Sequence, residues 1–132
     1  MRVWLENWEW QCCGEPFALG SEVLWDLVPA DDEFRSWLGT PLGAAVVGSI
    51  THYETHHGNG KDVNPTSTRG RVDSIDAVYW QLAPRPGGDP RVLYPVAGTG
   101  ALESRERADG REPETDGGPS FGGYIVDFMP LT

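Results

Sequence analysis

A mostly β fold is predicted, a small antiparallel barrel or half-barrel with one short helix, and three observations predict it. The 132 residues include 17 glycines and 11 prolines, breakers that suit short strands joined by turns better than long helices. Apolar residues recur mainly at every second position over short runs, the period of a strand with one face buried. Six Trp, four Tyr and four Phe supply large apolar area per residue and offset a modest hydrophobic content of 39%. A chain of this length suits one domain with its own core.

Residues 3–11 alternate, with Trp4, Glu6, Trp8 and Trp10 on one side and Leu5, Asn7, Glu9 and Gln11 on the other. They read as a first strand with an aromatic face. Cys12-Cys13-Gly14-Glu15-Pro16 breaks it, since glycine permits a turn and proline extends the residue before it. In Glu22–Val28 the residues Val23, Trp25 and Leu27 face one way, which makes the firmest strand of the chain. Pro29 ends it. Asp31 or Asp32 then caps a helix whose Phe34, Trp37 and Leu38 share a face, with Gly39 as its stop.

After the connector Thr40–Gly43, a strand is predicted over 46–56, because Val46, Val47, Ile50 and Thr51 outweigh the helix preference of Ala44-Ala45. Gly58 to Arg69 reads as a polar loop. Residues 70–82 read as a bent strand or tight hairpin, and Val72 and Ile75 share a face only if a bulge intervenes. Pro84 to Pro90 is a turn. Val92, Tyr94 and Val96 alternate in a strand that Pro95 confines to an edge. Residues 98–120 hold six acids and three arginines without periodicity or aromatics, the composition of a flexible, loosely held acidic insertion. Tyr124, Val126 and Phe128 share one side of a closing strand.

The phrase Phe17-x-x-Gly20-x-x-Val23-x-Trp25, followed by Gly70-x-Val72-x-x-Ile75, resembles the opening strands of SH3-like barrels, and the barrel is expected to be of that kind. A second resemblance spans most of the chain. Trp10-Gln11-Cys12-Cys13-Gly14-Glu15-Pro16-Phe17, the Gly20-x-x-Val23-x-Trp25 strand, Glu54-x-His56-His57-Gly58 and Gly123-Tyr124-x-Val126 resemble a family of small, acidic actinobacterial proteins, a domain of unknown function. That resemblance implies that the vicinal cysteines and the His-His-Gly run belong together. It implies no activity.

The formal net charge of −10 repels nucleic acid and anionic membranes and favours solubility or a basic partner. The amino terminus lacks a basic segment followed by an apolar run, and no stretch has the ~18 apolar residues of a spanning helix. Neither a signal peptide nor a membrane span is predicted, and a cytoplasmic location is expected.

All three histidines fall in Gly48–Gly58, and His52, Glu54 and His56 share one side of a strand there. With Cys12 or Cys13 they make a candidate zinc site of thiolate, imidazole and carboxylate, His57 being a spare ligand. The chain has no paired Cys-x-x-Cys, the spacing that makes such a signal specific, and the plain reading of the cysteines is as small buried hydrophobes. A cysteine nucleophile with His56 or His57 as base and Glu54 as orienter is a further alternative, although no helix start at Cys12 or Cys13 lowers a thiol pKa. Trp4, Trp8 and Trp10 offer a binding face for a peptide, against the plain reading that large side chains fill a small core. Gly58-x-Gly60 and Gly98-x-Gly100 lack the strand–helix setting of nucleotide loops. The function expected is a non-enzymatic binding module for an unknown protein or peptide partner, with zinc binding as runner-up and thiol-dependent catalysis third.

Overall fold

The computed structural model describes residues 1–7, 14–55 and 64–131. Among them the strands are β1 (Arg2–Glu6), β2 (Phe17–Ala18), β3 (Glu22–Pro29), β4 (His52–Glu54), β5 (Thr66–Trp80), β6 (Leu82–Ala83), β7 (Tyr94–Pro95), β8 (Ala101–Arg105), β9 (Arg107–Ala108) and β10 (Ser120–Pro130). Helices run over Asp32–Leu42 and Ala44–Gly48.

Strands β10, β1, β4, β3 and β5 pair in that order, and β5 pairs back onto β10, so five strands close into a barrel. Closure removes the unpaired edges that an open sheet leaves. All ladders are antiparallel except β1 with β4, which run parallel. The fifteen-residue β5 makes closure feasible. Its first part pairs with β3 through 66–71, β8 takes the same edge through 75–79, and β10 holds the opposite edge from 70 to 80.

The bulge demanded by Val72 and Ile75 is present. The β5–β10 register passes from Ser74 opposite Asp127 to Val72 opposite Phe128, which leaves Asp73 as the extra residue. Val72 and Ile75 thereby both enter the barrel interior. A second shift, at Gly122 of β10, does the same for Phe121 and Tyr124. At Gly70 a Cβ would strike the Phe128 ring, so only glycine lets these two strands approach.

Alternation sorts the core into two parts. Leu5, Leu27, Ile75, Tyr124, Val126 and Phe128 fill the barrel interior. On the opposite face Trp4, Val78, Trp80 and Ile125 point outward and are covered by Phe34 and Leu38 of the first helix, together with Val47 and Ile50. Both faces of β1, of β5 from Ala77 to Trp80 and of β10 from Phe121 to Val126 are therefore buried. Each fully buried Leu, Ile or Phe adds about 1.5–3 kcal/mol.

Several expectations change. Asp31 caps the helix through Phe34 N–H to Oδ1 (2.8 Å), but the helix passes Gly39 and ends at Gly43, whose φ of 88° supplies the stop. An interior glycine costs only about 1 kcal/mol, and continuing buries Pro41 and packs Leu42 against the outer cluster. The strand predicted over 46–56 is instead the short helix Ala44–Gly48 followed by β4, because one helical turn is what seats Val47 and Ile50 against the sheet. The 70–82 stretch is one continuous bulged strand, not a hairpin, and it begins at Thr66, inside the predicted polar loop.

The acidic stretch 98–120, read as a flexible insertion, forms β8 and β9. Ala108 is fully buried, and β9 pairs with β2. Arg105 pairs there with Glu103 and Glu112, while Glu106, Arg107, Asp109, Arg111, Glu114 and Asp116 are exposed. The 92–96 strand shrinks to the two-residue β7, on an edge as Pro95 requires. The predicted first strand 3–11 is strand only to Glu6 within the described residues.

Candidate functional site

The turn that joins β2 to β3 builds one wall of a cleft. Gly20 takes φ 84°, a conformation glycine adopts without a Cβ clash. Ser21 Oγ accepts from the Ala18 N–H (3.0 Å), while Gly20 N–H donates to Val72 O (2.8 Å) and Val72 N–H to Ser21 O (2.9 Å). The turn is thus fixed to β5. Phe17 and Trp25 leave it facing each other edge to face at 5.2 Å, and Trp25 stacks on Phe128 at 5.3 Å.

Between this wall and Gly14–Pro16 lies a cleft of about 430 Å³, lined by Pro16, Phe17, Val23 and Trp25, with Glu15 and Glu22 among its acidic residues. Glu54 also lines it. This side chain sits at the end of β4 opposite Leu27, where Thr55 N–H donates to Asp26 O (3.0 Å), and only 4% of Glu54 is exposed. Glu54 is the one charged residue among the described residues that is almost wholly buried.

The predicted site residues divide. His52 and Glu54 stand two apart on β4 and face the same side of the sheet, as the strand reading required. His52 Nδ1 lies 2.8 Å from Thr51 Oγ1, and burial, followed by the positive Met1 ammonium, holds its imidazole below the ordinary histidine value. Cys12, Cys13, His56 and His57, with Trp8 and Trp10, lie outside the described residues. Among the described residues no group of three His, Cys, Asp or Glu side chains is placed to hold a metal ion. Trp4 is 1% exposed and sits beneath the helices with Nε1–H donating to Glu6 Oε2 (2.8 Å), so it belongs to the core and not to a binding face.

A second buried carboxylate went unnoticed in the sequence. Glu112 accepts from Arg105 Nε (2.9 Å) and from the Tyr124 hydroxyl (2.7 Å), and that hydroxyl accepts from Gly110 N–H (3.1 Å). Arg105 also reaches Glu103 (2.8 Å), and the two carboxylates, Glu103 the more strongly, raise its pKa further. Burial first, and then the Glu112 bond, push the Tyr124 phenol well above its usual range. Nothing in an aromatic-free run of mixed charges distinguishes such a cluster from a solvated loop.

A family model described as a family of unknown function, DUF6578, matches residues 1–129. The chain belongs to that family. No curated protein and no solved structure matches it.

Two buried acids in this DUF6578 chain therefore stand in opposite surroundings. Glu112 is enclosed by the donors of Arg105 and Tyr124 and serves packing. Glu54 lies in the wall of a cleft that Phe17, Val23 and Trp25 share with Glu15, Ser21 and Glu22. Phe17, Val23 and Trp25 were legible as a strand pattern. Their meeting with Glu54 was not, since it depends on β3 and β4 pairing. No helix among the described residues is long and apolar enough to cross a membrane.

Proposed function

We propose that this protein is a non-enzymatic binding module whose ligand seat is the cleft between β3 and Gly14–Phe17. One observation carries the reading: a cleft of about 430 Å³ with Phe17, Val23 and Trp25 in its walls and the buried Glu54 carboxylate among them. Ligand sites are commonly concave and of that size. A closed barrel supplies a rigid frame, so little ordering opposes binding. Titrating isotopically labelled protein with short extended peptides of basic, neutral and acidic composition tests it. Shifts concentrated on the amides of residues 14–25 and 54 are expected. Saturating additions that leave those amides in place, for every peptide, overturn it.

A zinc site is the second reading, favoured by one feature of the same cleft. Gly14, which follows Cys13 in the chain, and Glu54, two residues before His56, both line it. A site of Cys12 or Cys13 with His52, Glu54 or His56 has the ligand chemistry zinc uses. Elemental analysis of protein purified without a histidine tag decides: near-stoichiometric zinc supports this reading, and metal-free, folded protein rejects it.

A further inference from the structure

We infer that β8 is a docking edge for a second copy of this chain, the two β8 strands pairing antiparallel about a two-fold axis centred on Ser104. Five members of the six-stranded sheet close on one another, and β8 is the sixth, paired with β5 alone. Among the described residues no further backbone bond joins its residues 101–105 to another segment. Ala101, Leu102, Glu103 and Ser104 are all exposed. An edge strand bared along its length is a template for another strand.

The β5 ladder shows which groups are on offer. Val72 donates to Ser21 O and accepts from Gly20 N–H, on the flank of β5 that β3 and β8 share. The extra residue at Asp73 hands that direction on to Ile75, Ala77 and Tyr79, which stand opposite Arg105, Glu103 and Ala101. Leu102 and Ser104 therefore turn their N–H and C=O groups away from the sheet. In keeping with this, the Ser104 carbonyl accepts from its own neighbour's guanidinium, Arg105 Nη1 at 3.1 Å.

The side chains choose the occupant. Directly opposite residues of an antiparallel pair lie on one face, so a copy can meet β8 centred on Leu102, Glu103 or Ser104. Centred on Glu103, that acid faces itself, and like charges directly opposite destabilise a pair. Centred on Leu102, Glu103 faces Ala101. Centred on Ser104, Glu103 of each copy stands opposite Arg105 of the other. Those two rungs are the ones not hydrogen-bonded, where side chains come closest. Glu103 and Arg105 already touch within one chain at 2.8 Å, so the pairing makes a square of alternating charges. The short motif Glu-Ser-Arg is thus complementary to itself. One strand pair buries less than the ~1,200 Å² of a standard interface, so the dimer is a weak one. The net charge of −10 on each copy opposes approach at long range until salt screens it.

The test is sedimentation equilibrium of the full chain from about 10 μM to about 1 mM, at physiological salt and with reductant so that Cys12 and Cys13 make no intermolecular disulfide. A reversible monomer–dimer equilibrium is expected, with amide shifts at residues 102–106 that grow with concentration. Ser104→Pro removes an N–H that faces the open side and none that β5 uses, and should weaken the dimer about tenfold or more. Glu103→Arg sets like charges opposite each other on an exposed face and should weaken it several-fold. It guards against a proline variant that fails to fold. A chain that stays monomeric up to about 1 mM overturns the inference. A dimer that neither variant weakens is built elsewhere and overturns it too.

Discussion

Two buried carboxylates divide this molecule into regions with different work. Around Glu112 the barrel is finished: Arg105 and Tyr124 donate to it, Gly110 donates to Tyr124, and Tyr79 reaches the Pro113 carbonyl at 3.1 Å. Around Glu54 the wall opens into a cleft between β3 and Gly14–Pro16. A buried charge is costly and persists where hydrogen bonds or a function retain it. At Glu112 the bonds are visible and their effect is to tie the acidic segment to β10. Glu54, only 4% exposed, stands instead in the wall of a cleft.

The sharpest way to break the comparison is to delete the structural acid. Glu112→Ala removes two bonds to a charged acceptor and should lower unfolding free energy by about 2–3 kcal/mol, read from the urea midpoint, while cleft binding by the folded protein stays within about twofold. A loss of binding as large as the loss of stability would merge the two regions into one. Next comes Trp25→Ala, whose loss of a buried aromatic wall of the cleft should cost about 3 kcal/mol or more of stability, read from the urea midpoint. Tyr124→Phe should cost about 1 kcal/mol. It should also change the alkaline limb: the raised phenol pKa makes the unfolded chain ionise first, so stability falls as pH rises above about 10, and the variant lacks that part of the fall.

The smallest effect belongs to His52. Its imidazole pKa is lowered by burial and by the Met1 ammonium. As pH drops below about 6.5 the unfolded chain takes up the proton first, so stability is level above that value and declines just below it. His52→Gln should flatten that decline in melting temperatures followed from about pH 7.5 to 5. An unchanged slope would show that other groups govern the acid limb.

Local pattern carried much of the fold. Val23, Trp25 and Leu27 face inward on β3 as their alternation required, and the out-of-phase Val72 and Ile75 demanded a bulge that Asp73 supplies. Asp31 caps the first helix. The failures share one cause, which is that packing overrode local preference. β-branched Val46 and Val47 are helical because a helical turn seats Val47 and Ile50 on the outer face of the barrel. Most charges of 98–120 face solvent as their composition suggested, but β8 pairs with β5, β9 pairs with β2, and Arg105 bridges Glu103 and Glu112. Of the candidate site, Glu54 was singled out beside the histidines, while its cleft partners Phe17 and Trp25 were read only as barrel residues.

What the sequence alone determined is whatever depends on neighbours along the chain: strand phase, helix cap, breaker positions and a net charge of −10. These follow from backbone periodicity and composition, which need no knowledge of long-range pairing. The tertiary structure alone decided that β5 pairs with both β3 and β10 to close a barrel, that Trp4 lies under the helices, and that Glu54 meets Phe17 and Trp25 in one cleft. Those contacts join residues far apart in the chain, and their free energy arises only when closure removes them from water together.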